Sequence, residues 1–177
     1  MIVTVFDTET TGLFASSLMD NEKKPELTEF CAIKYDLEKG EVVKEWDFLV
    51  KPKRGIPDEA TAITGITNDM VDNALPFEAR IAEIKEALET PDAVIAHNLS
   101  YDREMIETEL FRCGDTINWP RLICTVEETI CIRGYRLILA ELHREMTGET
   151  FLGAHRARND VEALLRCVKV LYIRGFI

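Results

Sequence analysis

A chain of 177 residues, 46% hydrophobic and 30% charged, has the length of one domain and the composition of a globular one, which excludes long-range disorder, fibrous repeats and a miniature dependent on disulfides. Its formal net charge of −11 is the wrong sign for a protein that coats nucleic acid by electrostatics alone. The imbalance is lopsided: residues 1–100 carry 10 basic and 20 acidic side chains, residues 101–177 carry 11 and 12, and ten of those eleven cations are arginines, the side chain better shaped to clamp phosphate.

No apolar run approaches the roughly 18–20 residues of a membrane span, and Asp7 and Glu9 interrupt any leader-like opening. The five cysteines (Cys31, Cys113, Cys124, Cys131, Cys167) include no C-x-x-C pair. A cytoplasmic protein with reduced thiols, most of them small core hydrophobes, is therefore expected, organised as a single domain over residues 1–177.

In chain order, residues 2–6 are β-branched and apolar and predict a strand buried on both faces. A turn-rich stretch follows from Thr10 to about Leu27. Residues 28–36 and 41–50 predict two more strands joined by a hairpin turn at Glu38-Lys39-Gly40-Glu41. Short helical turns are expected over 58–73, around Thr64-Gly65-Ile66-Thr67. An amphipathic helix follows from Pro76 to Glu89, with Phe77, Ile81, Ile84 and Leu88 on one face. Then come a strand at 92–97, a helix at about 100–113, a loop with Trp119-Pro120, an unassigned segment from Arg121 to Arg133, and helices at about 135–147 and 159–174. Strands first and helix-strand-helix afterwards point to a mixed sheet flanked by helices.

Three groups of acids stand out on this scaffold. Asp7 and Glu9 lie just past the first strand, and period-two alternation sends both side chains to one side. They repel unless something positive sits between them, for which a divalent metal is the natural candidate; a surface turn that merely caps the strand would carry the same residues. Asp102 follows a plausible N-cap, Ser100, and heads the stripe Met105, Ile106, Leu110 and Cys113 that should face the core. Asp160 repeats the arrangement, with Asn159 as N-cap, Glu162 at N3 and Leu164, Cys167 and Leu171 below it. Helix starts delivered by parallel strands collect at the carboxyl edge of the sheet, where four acids would make an all-oxygen site for Mg²⁺ or Mn²⁺.

Two histidines, His97 and His155, each precede one of these aspartates by five residues, and spacing alone does not choose between them. His155 falls on the loop before its helix, where a solvated imidazole could take a proton from water. His97 ends an apolar strand and reads as a satisfied core or edge residue. His143 lies on a charged helix face and reads as solvated.

Together these residues resemble the motifs of the DEDDh, or DnaQ-like, 3′-to-5′ exonucleases, which include the proofreading epsilon subunits of bacterial replicative polymerases. Val5-Phe6-Asp7-Thr8-Glu9-Thr10-Thr11-Gly12-Leu13 looks like the first motif, Ala96-His97-Asn98-Leu99-Ser100-Tyr101-Asp102 the second, and Ala154-His155-Arg156-Ala157-Arg158-Asn159-Asp160 the third, H-x-x-x-x-D. The resemblance implies an α/β, ribonuclease H-like fold with a mixed five-stranded sheet flanked by helices. It makes Asp7, Glu9, Asp102 and Asp160 the metal ligands and selects His155 over His97 as general base. By analogy Thr10, Leu13, Asn98 and Tyr101 would hold the terminal nucleotide. There are departures: Thr64 stands where histidine is common, Cys124-Thr125 replaces the usual Asp-Thr, and the loop over 14–27 is longer than in compact members.

The implied activity is hydrolysis of the 3′-terminal phosphodiester of single-stranded nucleic acid, DNA in preference to RNA, assisted by two Mg²⁺ or Mn²⁺ ions and releasing nucleoside 5′-monophosphates. An RNA exonuclease resembling ribonuclease T or oligoribonuclease is the nearest alternative, and a non-catalytic nucleic-acid-binding subunit the next. A polymerase or replication partner is implied, although not through an epsilon-like tail after Ile177, and no membrane partner.

Overall fold

The computed structural model describes residues 1–15 and 20–177; residues 16–19 of the expected long loop lie outside the described residues. Its strands are β1 (Ile2–Thr10), β2 (Leu27–Asp36), β3 (Glu41–Leu49), β4 (Ala93–Ala96) and β5 (Arg121–Cys124), and its helices α1 (Asp58–Thr64), α2 (Asn68–Val71), α3 (Ile81–Glu89), α4 (Leu99–Arg112), α5 (Thr125–Arg133), α6 (Leu139–Thr147) and α7 (Ala157–Ile173). The five strands form one mixed sheet in the order β3-β2-β1-β4-β5. The β1–β2 and β2–β3 pairs are antiparallel, the β1–β4 and β4–β5 pairs parallel. Antiparallel neighbours follow from the short turn after Asp36, whose carboxylate accepts from the Glu38 and Lys39 amides while Gly40, at φ +75°, closes the hairpin. Parallel neighbours follow from the helical crossovers that separate β1, β4 and β5.

β1 is longer than its apolar run predicts. Asp7 and Glu9 are not past its end: they pair with Cys31 and Glu29 of β2, and the ladder becomes irregular only between Glu9 and Thr10. The long partner strand satisfies their backbone groups, so polar side chains do not stop the strand. Side chains alternate across it. Val3 and Val5 pack in the cluster that includes Ala157, Val161, Leu164 and Val168 of α7. Phe6 joins the other cluster with Ile84 and Leu88 of α3 and Met105, Ile106 and Leu110 of α4. The odd-numbered face of β1 therefore looks toward α7 and the even-numbered face toward α3 and α4.

Other boundaries shift locally. The expected helix from Pro76 is a short 3₁₀ turn, Phe77–Ala79, followed by α3, with Arg80 at φ −103° between them. The unassigned stretch from Arg121 resolves into β5 and α5, and α6 begins at Leu139 rather than 135. Among the described residues no helix is long and apolar enough to cross a membrane, and all five cysteines are free thiols.

Candidate active site

The odd-numbered face of β1 runs Val3, Val5, Asp7, Glu9: two residues of core, then two acids as the strand passes the start of α7. Asp160, in the first turn of that helix, meets them there. Asp7, Glu9 and Asp160 each offer a carboxylate oxygen, all within 4.8 Å of one another. Asp102 arrives from the other face, in the first turn of α4. Its Oδ1 accepts from the Thr8 backbone amide at 3.0 Å and from Thr8 Oγ1 at 2.7 Å. It is outside the group of three but close enough that its charge acts on Asp7. Neither helix acid faces bulk solvent, Asp102 being 3% and Asp160 9% exposed.

Burial is the first cause that opposes ionisation here, and mutual repulsion adds to it. Asp7 is pushed well above the usual carboxylate range by burial, then by the charges of Asp102 and Glu9. Glu9 is pushed up to about 8 by burial and by Asp160, Glu29 and Asp102. Burial raises Asp102 to about 7 against the two Thr8 hydrogen bonds. Asp160 is raised by burial against the donation it receives from the His155 amide. Such a cluster carries protons unless a cation supplies the missing positive charge.

The side chains fit a cation in a second respect. Asp160 Oδ2 accepts from the His155 backbone amide at 2.9 Å, whereas its Oδ1 is buried without any hydrogen-bond partner. A buried carboxylate oxygen left unpaired costs free energy that metal ligation would offset. An all-carboxylate donor set suits hard cations such as Mg²⁺ or Mn²⁺ rather than zinc or copper.

The caps that hold these helices are not the expected ones. Ser100 and Asn159 both lie inside their helices. α4 is entered through Asn98, at φ +66°, and α7 through Arg156. The first amide of α7, on Ala157, donates to Glu29 Oε2 at 2.9 Å, and Arg156 pairs with Glu29 Oε1 at 2.7 Å. Glu29, opposite Glu9 in the sheet and 2% exposed, thus ties the start of α7 to β2. Sequence reasoning missed it. Its signal was an acid within an otherwise buried strand, and its partners are 127 and 128 residues away.

The three histidines differ sharply. His155 is exposed, in the left-handed region at φ +66°, and lines one cleft of about 490 Å³ with Asp7 and Asp160. Asn159 Nδ2 holds its loop by donating to the Gly153 carbonyl at 2.8 Å. His97 borders the same cleft with both nitrogens engaged, by Thr125 Oγ1 at 3.0 Å and the Leu137 carbonyl at 3.1 Å. Burial lowers it to about 4. His143 corrects the sequence reading: it is not solvated but 1% exposed. Its Nδ1 meets the Glu149 carbonyl at 2.9 Å and its Nε2 accepts from Arg166 Nε at 3.0 Å. The Arg166 partner on α7 is invisible to the periodicity of α6, which is why the residue looks like part of a charged face.

Comparison with known proteins decides what this arrangement belongs to. The profile of the exonuclease family named for RNase T matches residues 4–168. The chain belongs to this exonuclease family. The order Asp7, Glu9, Asp102, His155, Asp160 places it in the DEDDh, DnaQ-like group expected from its motifs. It is 32% identical over 168 residues to the DNA polymerase III subunit epsilon of Treponema pallidum, covering 92% of this chain and 72% of that one. It is 29% identical over 162 residues to the 3′-5′ exonuclease DinG of Bacillus subtilis, covering 89% of this chain but 16% of that one. The chain thus spans a small part of that relative's length. The nuclease domain of 3′hExo, a DEDDh member bound to rAMP, shares the fold with a TM-score of 0.77 at 16% identity, over 98% of this chain and 92% of the other.

Against the family pattern, the residues expected to hold a nucleotide are distributed around the end of β1. Thr10 Oγ1, the Tyr101 hydroxyl and the Gly12 carbonyl form a triangle with sides of 2.6, 2.7 and 2.7 Å, in which the two hydroxyl protons serve two of the three contacts. Phe14 sets its edge against the Tyr101 ring at 5.3 Å between centroids. Leu13 is 80% exposed, so it is not a core residue, while Asn98 lines the cleft with His155. Of the departures, Cys124 is buried in the core cluster with Phe6 and Met105. Thr64 is buried and donates to the Ala60 carbonyl at the end of α1, and Thr125 is the partner of His97.

Proposed function

We propose that residues 1–177 work as one 3′-5′ exonuclease domain that hydrolyses the terminal phosphodiester at the 3′ end of single-stranded DNA and releases nucleoside 5′-monophosphates. The observation that carries this reading is the meeting of Asp7, Glu9 and Asp160 oxygens within 4.8 Å, beside an exposed His155 on the same cleft. Asp7, Glu9, Asp102 and Asp160 would hold two Mg²⁺ or Mn²⁺ ions. Bound there, divalent cations lower the pKa of a coordinated water and stabilise the leaving 3′-oxygen.

The remaining work falls to the chain itself. His155 takes the proton of the attacking water on a ring nitrogen, and its backbone bond to Asp160 Oδ2 keeps base and acid in one register. Thr8 holds Asp102 so that one of its oxygens stays committed to the protein. Leu13 and Tyr101 receive the terminal base and sugar, with Thr10 fixing the Tyr101 hydroxyl, and Asn98 contributes a polar contact. A DNA substrate and a polymerase or replication partner are supported by the epsilon relative, and a reducing, cytoplasmic setting by the five free thiols.

The test is incubation of the purified protein with labelled single-stranded DNA and RNA, with Mg²⁺ and with chelator. Shortening from the 3′ end with release of 5′-monophosphates, faster on DNA and dependent on the cation, is expected. Preference for RNA would move the substrate to the ribonuclease alternative. Turnover indifferent to chelator would overturn the reading.

A further inference from the structure

The arginine-rich second half of the chain is not explained by the acid cluster. Among the described residues, five of its ten arginines are paired with carboxylates: Arg103, Arg112, Arg133, Arg156 and Arg158. Arg136 is not among them. It is exposed, on the non-helical stretch 134–138 between α5 and α6, and lines the cleft together with Asp7, His155 and Asp160. Among the described residues, no other arginine or lysine lines that cleft.

This stretch is built, not loose. Leu137 is 4% exposed, its carbonyl held by His97 Nε2 at 3.1 Å, and the Ile138 amide donates to Glu141 Oε2 at 3.1 Å. On the cleft side, Arg136 Nη2 donates to Asn98 Oδ1 at 3.0 Å, which uses one of five guanidinium N–H donors. A planar cation held on one side by Asn98, with the rest of its fork open to a cleft that Asp7, His155 and Asp160 also line, has a geometric fit to two phosphate oxygens.

We propose that Arg136 is a phosphate-binding residue of this cleft, taking non-bridging oxygens of the substrate strand while Asn98 and the His97-Leu137 contact hold it in place. The inference rests on the exonuclease reading and adds to it a substrate contact with a defined charge. It also makes His97 a positioning residue, which fixes the backbone beside Arg136 rather than acting as a base.

The experiment measures kcat and KM on a single-stranded oligodeoxynucleotide for wild type, Arg136→Ala, Arg136→Gln and Arg136→Lys across 50–200 mM salt. Loss of one charged hydrogen-bonding partner should raise KM by about tenfold or more in the Ala and Gln variants, with kcat changing much less. The slope of log(kcat/KM) against log salt should shrink by about 0.7, the value for one phosphate contact on a single strand. Lysine should restore the slope but not the whole KM, because it keeps the charge and loses the fork. A merely structural role would lower the melting temperature without moving the salt slope, and that result would overturn the proposal. So would an unchanged KM and slope in a folded Arg136→Gln. An inactive wild-type protein would instead overturn the exonuclease reading beneath it.

Discussion

His97 and His155 stand at the same distance from an aspartate that opens a helix, yet the fold puts them to opposite uses. His97 closes β4, where Thr125 and the Leu137 carbonyl occupy both ring nitrogens and burial lowers the imidazole to about 4. His155 stands outside any element, at φ +66°, exposed beside Asp7 and Asp160. One ring is committed to the protein and the other is free for solvent and substrate. Spacing places a histidine near an acid; only its hydrogen-bond partners decide whether it can exchange a proton during turnover.

Four substitutions probe the contrast between the two histidines and the acids beside them. Asp160→Asn should have the largest effect, abolishing detectable hydrolysis, because it removes a cluster charge and, with its one oxygen kept for the His155 amide, turns an NH2 toward the cation in place of Oδ1; a 3′-end digestion assay checks it. His155→Ala should lower kcat by about 10² to 10⁴ and leave the melting temperature nearly unchanged. Gly153→Ala tests placement without touching chemistry. A Cβ there would lie 2.5 Å from Asn159 Nδ2, at a φ of +76°, so the loop must move and kcat should fall by up to about 10².

The smallest effect on turnover is expected from His97→Asn, less than that of His155→Ala, with a stability loss of about 1–3 kcal/mol from stranded buried partners. Its signature is pH. Because the folded state lowers the His97 pKa to about 4, it binds that proton less readily than the unfolded chain does. The contribution of neutral His97 is therefore complete above pH ~6.5 and lost as pH falls toward 4. Chemical denaturation at several pH values should show this acid limb in wild type and lose it in His97→Asn.

Glu9 gives the opposite limb. Raised from 4.5 to about 8, it is protonated in the folded metal-free protein where the unfolded chain is ionised. Stability in chelator is thus fully present below pH ~4.5 and declines as pH rises to about 8. Divalent cation should remove that decline, so its stabilising effect grows with pH.

Much of this architecture was legible in the sequence because it rests on local periodicity. Alternation put Asp7 and Glu9 on one side of the chain, and the stripes beneath Asp102 and Asp160 turned both acids inward. The errors share one cause, partners distant in sequence. β1 continues through its acids because β2 pairs with it, Glu29 caps a helix 128 residues away, and His143 is buried because Arg166 from another helix bonds it. The caps depart from local rules in the same way: Ser100 and Asn159 fit those rules, while Asn98 in a left-handed conformation and Glu29 from the sheet do the positioning.

Everything proposed for turnover depends on divalent cations being held by the acids of β1 and the two helix starts. Calorimetric titration with Mn²⁺ near pH 7, repeated in buffers of different ionisation enthalpy, tests it most directly. Saturable binding that releases protons is expected, because Glu9 and its neighbours must ionise to ligate, with severe weakening of that binding in Asp160→Asn. Equal Mn²⁺ affinity in wild type and Asp160→Asn, or binding with no proton release, would contradict it.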